Sequence, residues 1–163
     1  MTNKNVPTLY EWVGGIERIE ELFMKFYERV RSDVVLAAVF AEMPAHHFIT
    51  VAHFVSEVLG GPKLYGGDGQ HNHSTMIAKH LNRHLTESQR KRWVELLLDT
   101  ADQIKLPHDP EFRSALVGYL EWGSRIAVIN SASTENPVSE AAPMPRWGWG
   151  EVKGPYTPHS QPV

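Results

Sequence analysis

The chain has no cysteine among its 163 residues. That excludes disulfides, iron–sulfur clusters, thiolate ligation of iron and thioether attachment of a porphyrin. Any metal must be held by His, carboxylate, Tyr or Met. Long apolar runs are also missing. Nothing approaches the ~20 residues a membrane helix needs, and the polar opening Met1-Thr-Asn-Lys-Asn5 does not resemble a signal peptide. The expected location is therefore cytoplasmic, with no membrane partner. Nor is there an excess of one charge: 16 Lys and Arg against 19 Asp and Glu give a net charge of -3. This is no electrostatic footprint for nucleic acid. What remains is the composition of one soluble domain, long enough to bury a core.

What is abundant is histidine. Seven of the nine fall between His46 and His84, and imidazole is the commonest protein ligand for a metal. Helical phase sorts them. Ile16, Ile19, Phe23, Phe26, Tyr27 and Val30 recur every three or four residues, which predicts an amphipathic helix of roughly four turns. Gly14-Gly15 divides it from a helical turn over 9–13, and Val34 to Phe40 reads as a further brief helix. Pro44 suits the first turn of a helix running to Leu59, stopped by Gly60-Gly61-Pro62. A glycine-marked loop over 63–71 leads to a short helix at 75–81. Thr86 with Gln89 has capping-box form and opens a helix with Trp93, Leu97 and Ile104 on one side. Asp109 as N-cap with Pro110 at the first helical position opens the last helix, which turns Phe112, Leu116, Tyr119, Trp122 and Ile126 inward up to about Asn130. With no strand signal, the fold class is all-α.

The segment after residue 130 differs. It holds six of the eleven prolines and lacks a helical period, a composition of disorder. Trp147 and Trp149 argue otherwise, because exposed indoles waste apolar area. The expected organisation is a helical domain over 1–130 and an extended, partly docked tail over 131–163.

In the 44–59 helix, His47 shares a stripe with Val51, Phe54, Val55 and Val58, while His46, Thr50, His53 and Glu57 form the solvent stripe. His80 stacks over Met76 and Ile77, one turn earlier, and His71 and His73 lie by the wet glycine loop. Periodicity thus leaves His47 and His80 facing inward from two helices. Each fits a hydrogen-bonded boundary histidine. Together they also fit opposite walls of a pocket otherwise lined by Phe40, Met43, Phe48, Val51, Met76 and Ile77. Such an apolar lining suits a flat hydrophobic cofactor better than a bare ion, and no His-Glu-x-x-His zinc motif is present. Tyr27 and Trp93 fall on inward stripes as well. Both fit core packing, yet each brings a donor that needs an acceptor when buried.

These residues resemble the truncated haemoglobins, and specifically their second group. The resemblance is carried by Thr8-Leu-Tyr-Glu-Trp-Val-Gly-Gly15, Phe26-Tyr-Glu-Arg-Val30, Glu57-Val-Leu-Gly-Gly-Pro62, Met76-Ile-Ala-Lys-His80, Gln89-Arg-Lys-Arg-Trp93 and Asp109-Pro-Glu-Phe-Arg113. The tail stretch Met144-Pro-Arg-Trp-Gly-Trp-Gly150 is similar to extensions of some members. The resemblance implies a truncated globin fold, a two-over-two helical sandwich around non-covalent haem b, with His80 as the proximal iron ligand. It further implies Tyr27, Trp93 and His47 on the ligand side, Phe40 wedged against the haem, and Lys79 and Tyr65 near its propionates. The implied partners are O2, NO or CO, with an external electron donor for any turnover, in a monomer or homodimer. Reversible oxygen binding, for transport or storage, is the expected function. NO dioxygenase or peroxidase-like chemistry is the alternative. A cofactor-free helical module or a His-bound metal protein is the third class, which an absorption spectrum would separate.

Overall fold

A computed structural model describes residues 5–156; residues 157–163 of the expected tail lie outside the described residues. The described residues form six α-helices and no strand: α1 Leu9–Val13, α2 Ile16–Val30, α3 His47–Val58, α4 His73–Ala78, α5 Glu87–Gln103 and α6 Pro110–Ser131. Helix α2 packs along α3 and against α5, and α5 packs on α6. Phe23, Phe26, Ile19, Val30, Val58, Leu97 and Phe112 are essentially solvent-free at the centre. Burying one such side chain is worth roughly 1.5–3 kcal/mol, so these faces fix the arrangement.

Local signals set the helix ends. The Thr8–Glu11, Thr86–Gln89 and Asn72–Thr75 pairs are all capping boxes, and Asp109 caps α6 with Pro110 in its first turn. Gly60 and Gly61 do more than stop α3. Gly60 has φ +96, and a Cβ on Gly61 would lie 2.7 Å from both the Ser56 carbonyl oxygen and the Tyr10 ring. The glycines let α1 close onto the end of α3, where Tyr10 N–H donates to Leu59 O at 3.0 Å.

Several expectations are corrected. Val34–Phe40 is a string of turns rather than a helix. The Asp33 carboxylate accepts from the N–H groups of Val35 and Leu36 at 3.0 and 3.1 Å, and the later bonds alternate between i−3 and i−4 acceptors. Arg92 of α5 donates to Asp33 at 2.7 Å and ties the segment down. Pro44 lies before α3, not within it, and His47 N–H donates to Pro44 O at 3.0 Å. Glu57 is buried, 2 % exposed, instead of facing solvent, because it accepts from Gly66 N–H at 2.8 Å. Trp122 is exposed rather than inward; its ring lies 5.8 Å from that of Trp147.

The residues after α6 run back over the body as an extended segment. Trp147 N–H donates to Val58 O at 2.9 Å, closing the end of α3, and its indole occupies the space beside Gly118. Trp149 Nε1–H donates to Pro7 O at 2.7 Å and packs edge-on to Trp12.

Candidate functional site

One wall of the site comes from α2, α3, α5 and the turn segment between α2 and α3. Tyr27 lies on the buried stripe of α2, 4 % exposed. Its ring meets Phe40 at 5.5 Å and His47 at 4.9 Å between centroids, and its hydroxyl lies 3.2 Å from His47 Nε2. Burial pushes the Tyr27 phenol well above its usual range, with the Trp93 indole pulling the other way. Trp93 packs edge-on to Phe26 at 5.7 Å. Its indole stands on the Tyr27 hydroxyl side, the interaction that opposes the effect of burial on the phenol. Burial lowers His47 to about 4, and the positive charges of Lys79, His80, Arg83 and His46 add to the effect. His47 is therefore a neutral imidazole at pH 7.

The opposite wall is α4 and the residues just after it. The helix is shorter than the expected 75–81 and ends at Ala78, so His80 follows its last turn. His80 Nδ1 lies 2.9 Å from Met76 O. A carbonyl only accepts, so Nδ1 carries the proton and Nε2 keeps its lone pair. Nε2 has no partner among the described residues. Burial lowers the His80 pKa, against the bond to Met76, with Arg83 and Lys79 adding to the lowering. Tyr65 is buried, and its hydroxyl lies 3.0 Å from Thr75 Oγ1. Lys79 is exposed at the rim.

Between the walls the packing is incomplete. Phe40, Met43, Phe48, Val51, Met76 and Trp93 touch the core yet stay only partly buried. Helix α4 makes no extended packing contact with any other helix. These features fit a flat apolar group: an apolar lining, an imidazole lone pair on one wall, and donors on the other. They do not fit a bare ion, since no group of three metal-ligating side chains exists among the described residues. A cavity of about 170 Å³ is bordered by Met24, Tyr27, Arg31, Met43 and Phe48, so it shares Tyr27, Met43 and Phe48 with the site.

Of the other histidines, His46 and His71 are exposed as expected. His53 is half-buried, 3.5 Å from Glu20. His73 is drier than expected, and its Nδ1 is buried with no partner among the described residues. Three features of this region escaped the periodicity reading. They are the Asn72–Thr75 cap, for which Asn-x-x-Thr was a readable signal, buried Ser74, and Asn136 of the tail, which bonds Ser74.

Comparison with known proteins identifies one family for the chain. The bacterial-like globin family matches residues 8–121. The group 2 truncated hemoglobin YjbI of Bacillus subtilis is 31% identical over 132 residues, covering 81% of this chain and 94% of that protein. The X-ray structure of the truncated oxygen-avid haemoglobin from Bacillus subtilis superimposes with a TM-score of 0.65 at 31% identity, over 75% of this chain and 99% of that one. The group II truncated hemoglobin of Bacillus anthracis shares the fold, with a TM-score of 0.68 at 23% identity over 85% and 98% of the two chains. With its all-helical fold and its paired walls, the chain belongs to the bacterial-like globins and is a group 2 truncated haemoglobin, a membership that implies haem-based ligand binding.

Proposed function

We propose that the chain holds haem b non-covalently through His80 Nε2 and binds O2, NO or CO reversibly on the side of Tyr27 and Trp93. The observation that carries this reading is the state of His80. Its Nδ1–H is committed to the Met76 carbonyl, its ring is neutral at pH 7, and its Nε2 lone pair has no other partner. The backbone bond fixes the tautomer and the ring orientation, as an outer partner does for a metal-bound histidine. Phe40, Met43, Phe48, Val51 and Met76 supply apolar contact and exclude water. Lys79 at the rim suits a propionate, and Tyr65 braces the wall through Thr75. The haem, once bound, would supply the iron that takes up the diatomic ligand.

The remaining chemistry belongs to the chain. His47 Nε2–H can donate to the Tyr27 oxygen, which leaves the Tyr27 O–H to donate toward a ligand; Trp93 Nε1–H is the second donor. Both are held by the packed frame of α2 and α5, the kind of preorganised arrangement that stabilises charge on an acceptor. Each bond to a charged acceptor is worth ~1.5–3 kcal/mol. Two such donors suit slow release and hence storage, sensing or slow redox chemistry. Purified protein given haem should show a Soret band and a histidine-ligated ferrous spectrum, and His80→Ala should lose that spectrum. A wild-type chain that takes up no haem would sink the reading.

His47 favours a second reading. Held neutral beside Tyr27, it can accept a proton from a peroxide, the step a peroxidase-like activity with an external reductant requires. His47→Leu should then abolish peroxide consumption while O2 binding persists. Equal rates in the two proteins would remove this reading.

A further inference from the structure

Helix α4 has six residues, well below the ~12–15 at which a helix holds itself together in water. It also has no extended packing contact with another helix. Beside the Tyr65–Thr75 hydroxyl pair, its bonds run to the segment that follows α6. Ser74 Oγ–H donates to Val138 O at 3.0 Å. Asn136 Nδ2 donates to both Ser74 O and Ser74 Oγ at 3.0 Å, while Asn136 Oδ1 accepts from Val138 N–H at 3.0 Å. One side chain thus shapes the segment and grips the helix. Asn72 Nδ2 donates to Glu140 O at 3.3 Å. Past the helix, Asn82 N–H donates to Ser133 O at 2.9 Å and His84 N–H to Ser131 O at 3.0 Å. Ser74 is 6 % exposed, so the bonds to it are partly shielded from water, while Asn136 and Glu140 lie at the surface. Downstream, Trp147 and Trp149 pin the same segment to α3, α6 and the residues before α1.

We infer that residues 133–140 are a positioning strap for His80. Asn136 and Ser74 are its positioning residues: they fix α4, and through the Met76 carbonyl they fix the His80 ring. The part of this inference that concerns iron rests on the haem reading above. The strap replaces the helix–helix packing that α4 lacks, and it sets the distance and tilt at which the imidazole meets a bound group.

The test uses the full-length chain with Asn136→Asp. This substitution keeps the oxygen that accepts from Val138 and removes both donations to Ser74. Two quantities are read: hydrogen exchange at the α4 amides in haem-free protein, and the iron–histidine stretching band of the ferrous, haem-loaded protein. Exchange in α4 should accelerate about tenfold, as expected for two lost, partly buried hydrogen bonds felt locally, while exchange in α5 stays as in the wild type. The stretching band should shift or broaden. Ser74→Ala should reproduce both changes, and it carries the test if Asn136→Asp fails to fold by circular dichroism. Wild-type exchange in α4 overturns the strap. Faster exchange with an unmoved band overturns its role in positioning His80. A wild-type chain that takes up no haem overturns the haem reading instead; that outcome appears before any variant is made, and the exchange arm still decides whether the strap holds α4.

Discussion

On the Tyr27 side of the site, α2, α3 and α5 interlock through rings and branched chains, with Phe23, Phe26 and Val58 fully buried. On the His80 side, a helix of six residues is held by the Tyr65–Thr75 hydroxyl pair and by amide and hydroxyl bonds to the extended segment after α6. The first wall is made by apolar area, which is non-directional and large. The second is made by a few directional bonds, each small. The wall that would meet the ligand is therefore stiff by packing. The wall that would meet the iron is set by individual side chains and can be tuned without disturbing the core.

The largest effect that sharpens this contrast comes from the packed wall. Phe26→Ala should lower global stability by about 3–5 kcal/mol, read from the urea midpoint of the haem-free protein. A loss as small as that of a surface change would mean the rings are not the frame of the site. A second effect is pH-dependent. His47 stands at about 4 instead of its ordinary 6.5, so the unfolded chain binds more protons between those values. Stability should fall as pH drops from about 6.5 to about 4, by at most ~3 kcal/mol from this residue. His47→Leu should flatten that part of the profile, and an unchanged slope would place the titration elsewhere.

The Trp93 donor gives the third effect. Trp93→Phe keeps an aromatic side chain and removes the N–H, so O2 release should quicken by roughly 10–100-fold. Stopped-flow displacement by CO measures it, and an unchanged rate would take Trp93 out of the ligand contact. The smallest effect compares the same chemistry on the two walls. Thr86→Ala removes the cap of α5 and should cost about 1 kcal/mol of global stability. Asn72→Ala removes the cap of α4 and should appear as faster exchange within α4, with about half that global loss or less. Equal global losses would mean that α4 unfolds only with the whole domain.

The same contrast explains what could be read from the sequence. The long helices were legible because their signals are local: the 3–4 spacing of α2, Thr86 with Gln89 for α5, Asp109-Pro110 for α6. Tyr27, His47 and Trp93 were legible for the same reason, since a long helix fixes the direction of every side chain. Errors arose where the deciding partner lies outside the periodic segment. Glu57 reads as a surface residue until Gly66 N–H is in view. Trp122 has its partner in the tail. Val34–Phe40 looks helical and is capped by Asp33 as a helix would be, but its later bonds alternate between i−3 and i−4 acceptors and Asp33 is held by Arg92 of a distant helix. The length of α4 depends on Asn72, and its placement on Asn136, a residue more than 60 positions further along the chain. No window of a few turns contains that information.

The bond from Trp149 to Pro7 joins residues 142 positions apart. Contacts of such separation close late, because the intervening chain must first be ordered. During synthesis α2, α3 and α5 can meet while the tail is still inside the ribosome, but Ser74 cannot reach Asn136 nor Pro7 reach Trp149. A nascent chain therefore completes the packed wall well before the strapped one. Haem captured before the last residues emerge would meet a His80 whose helix is not yet held.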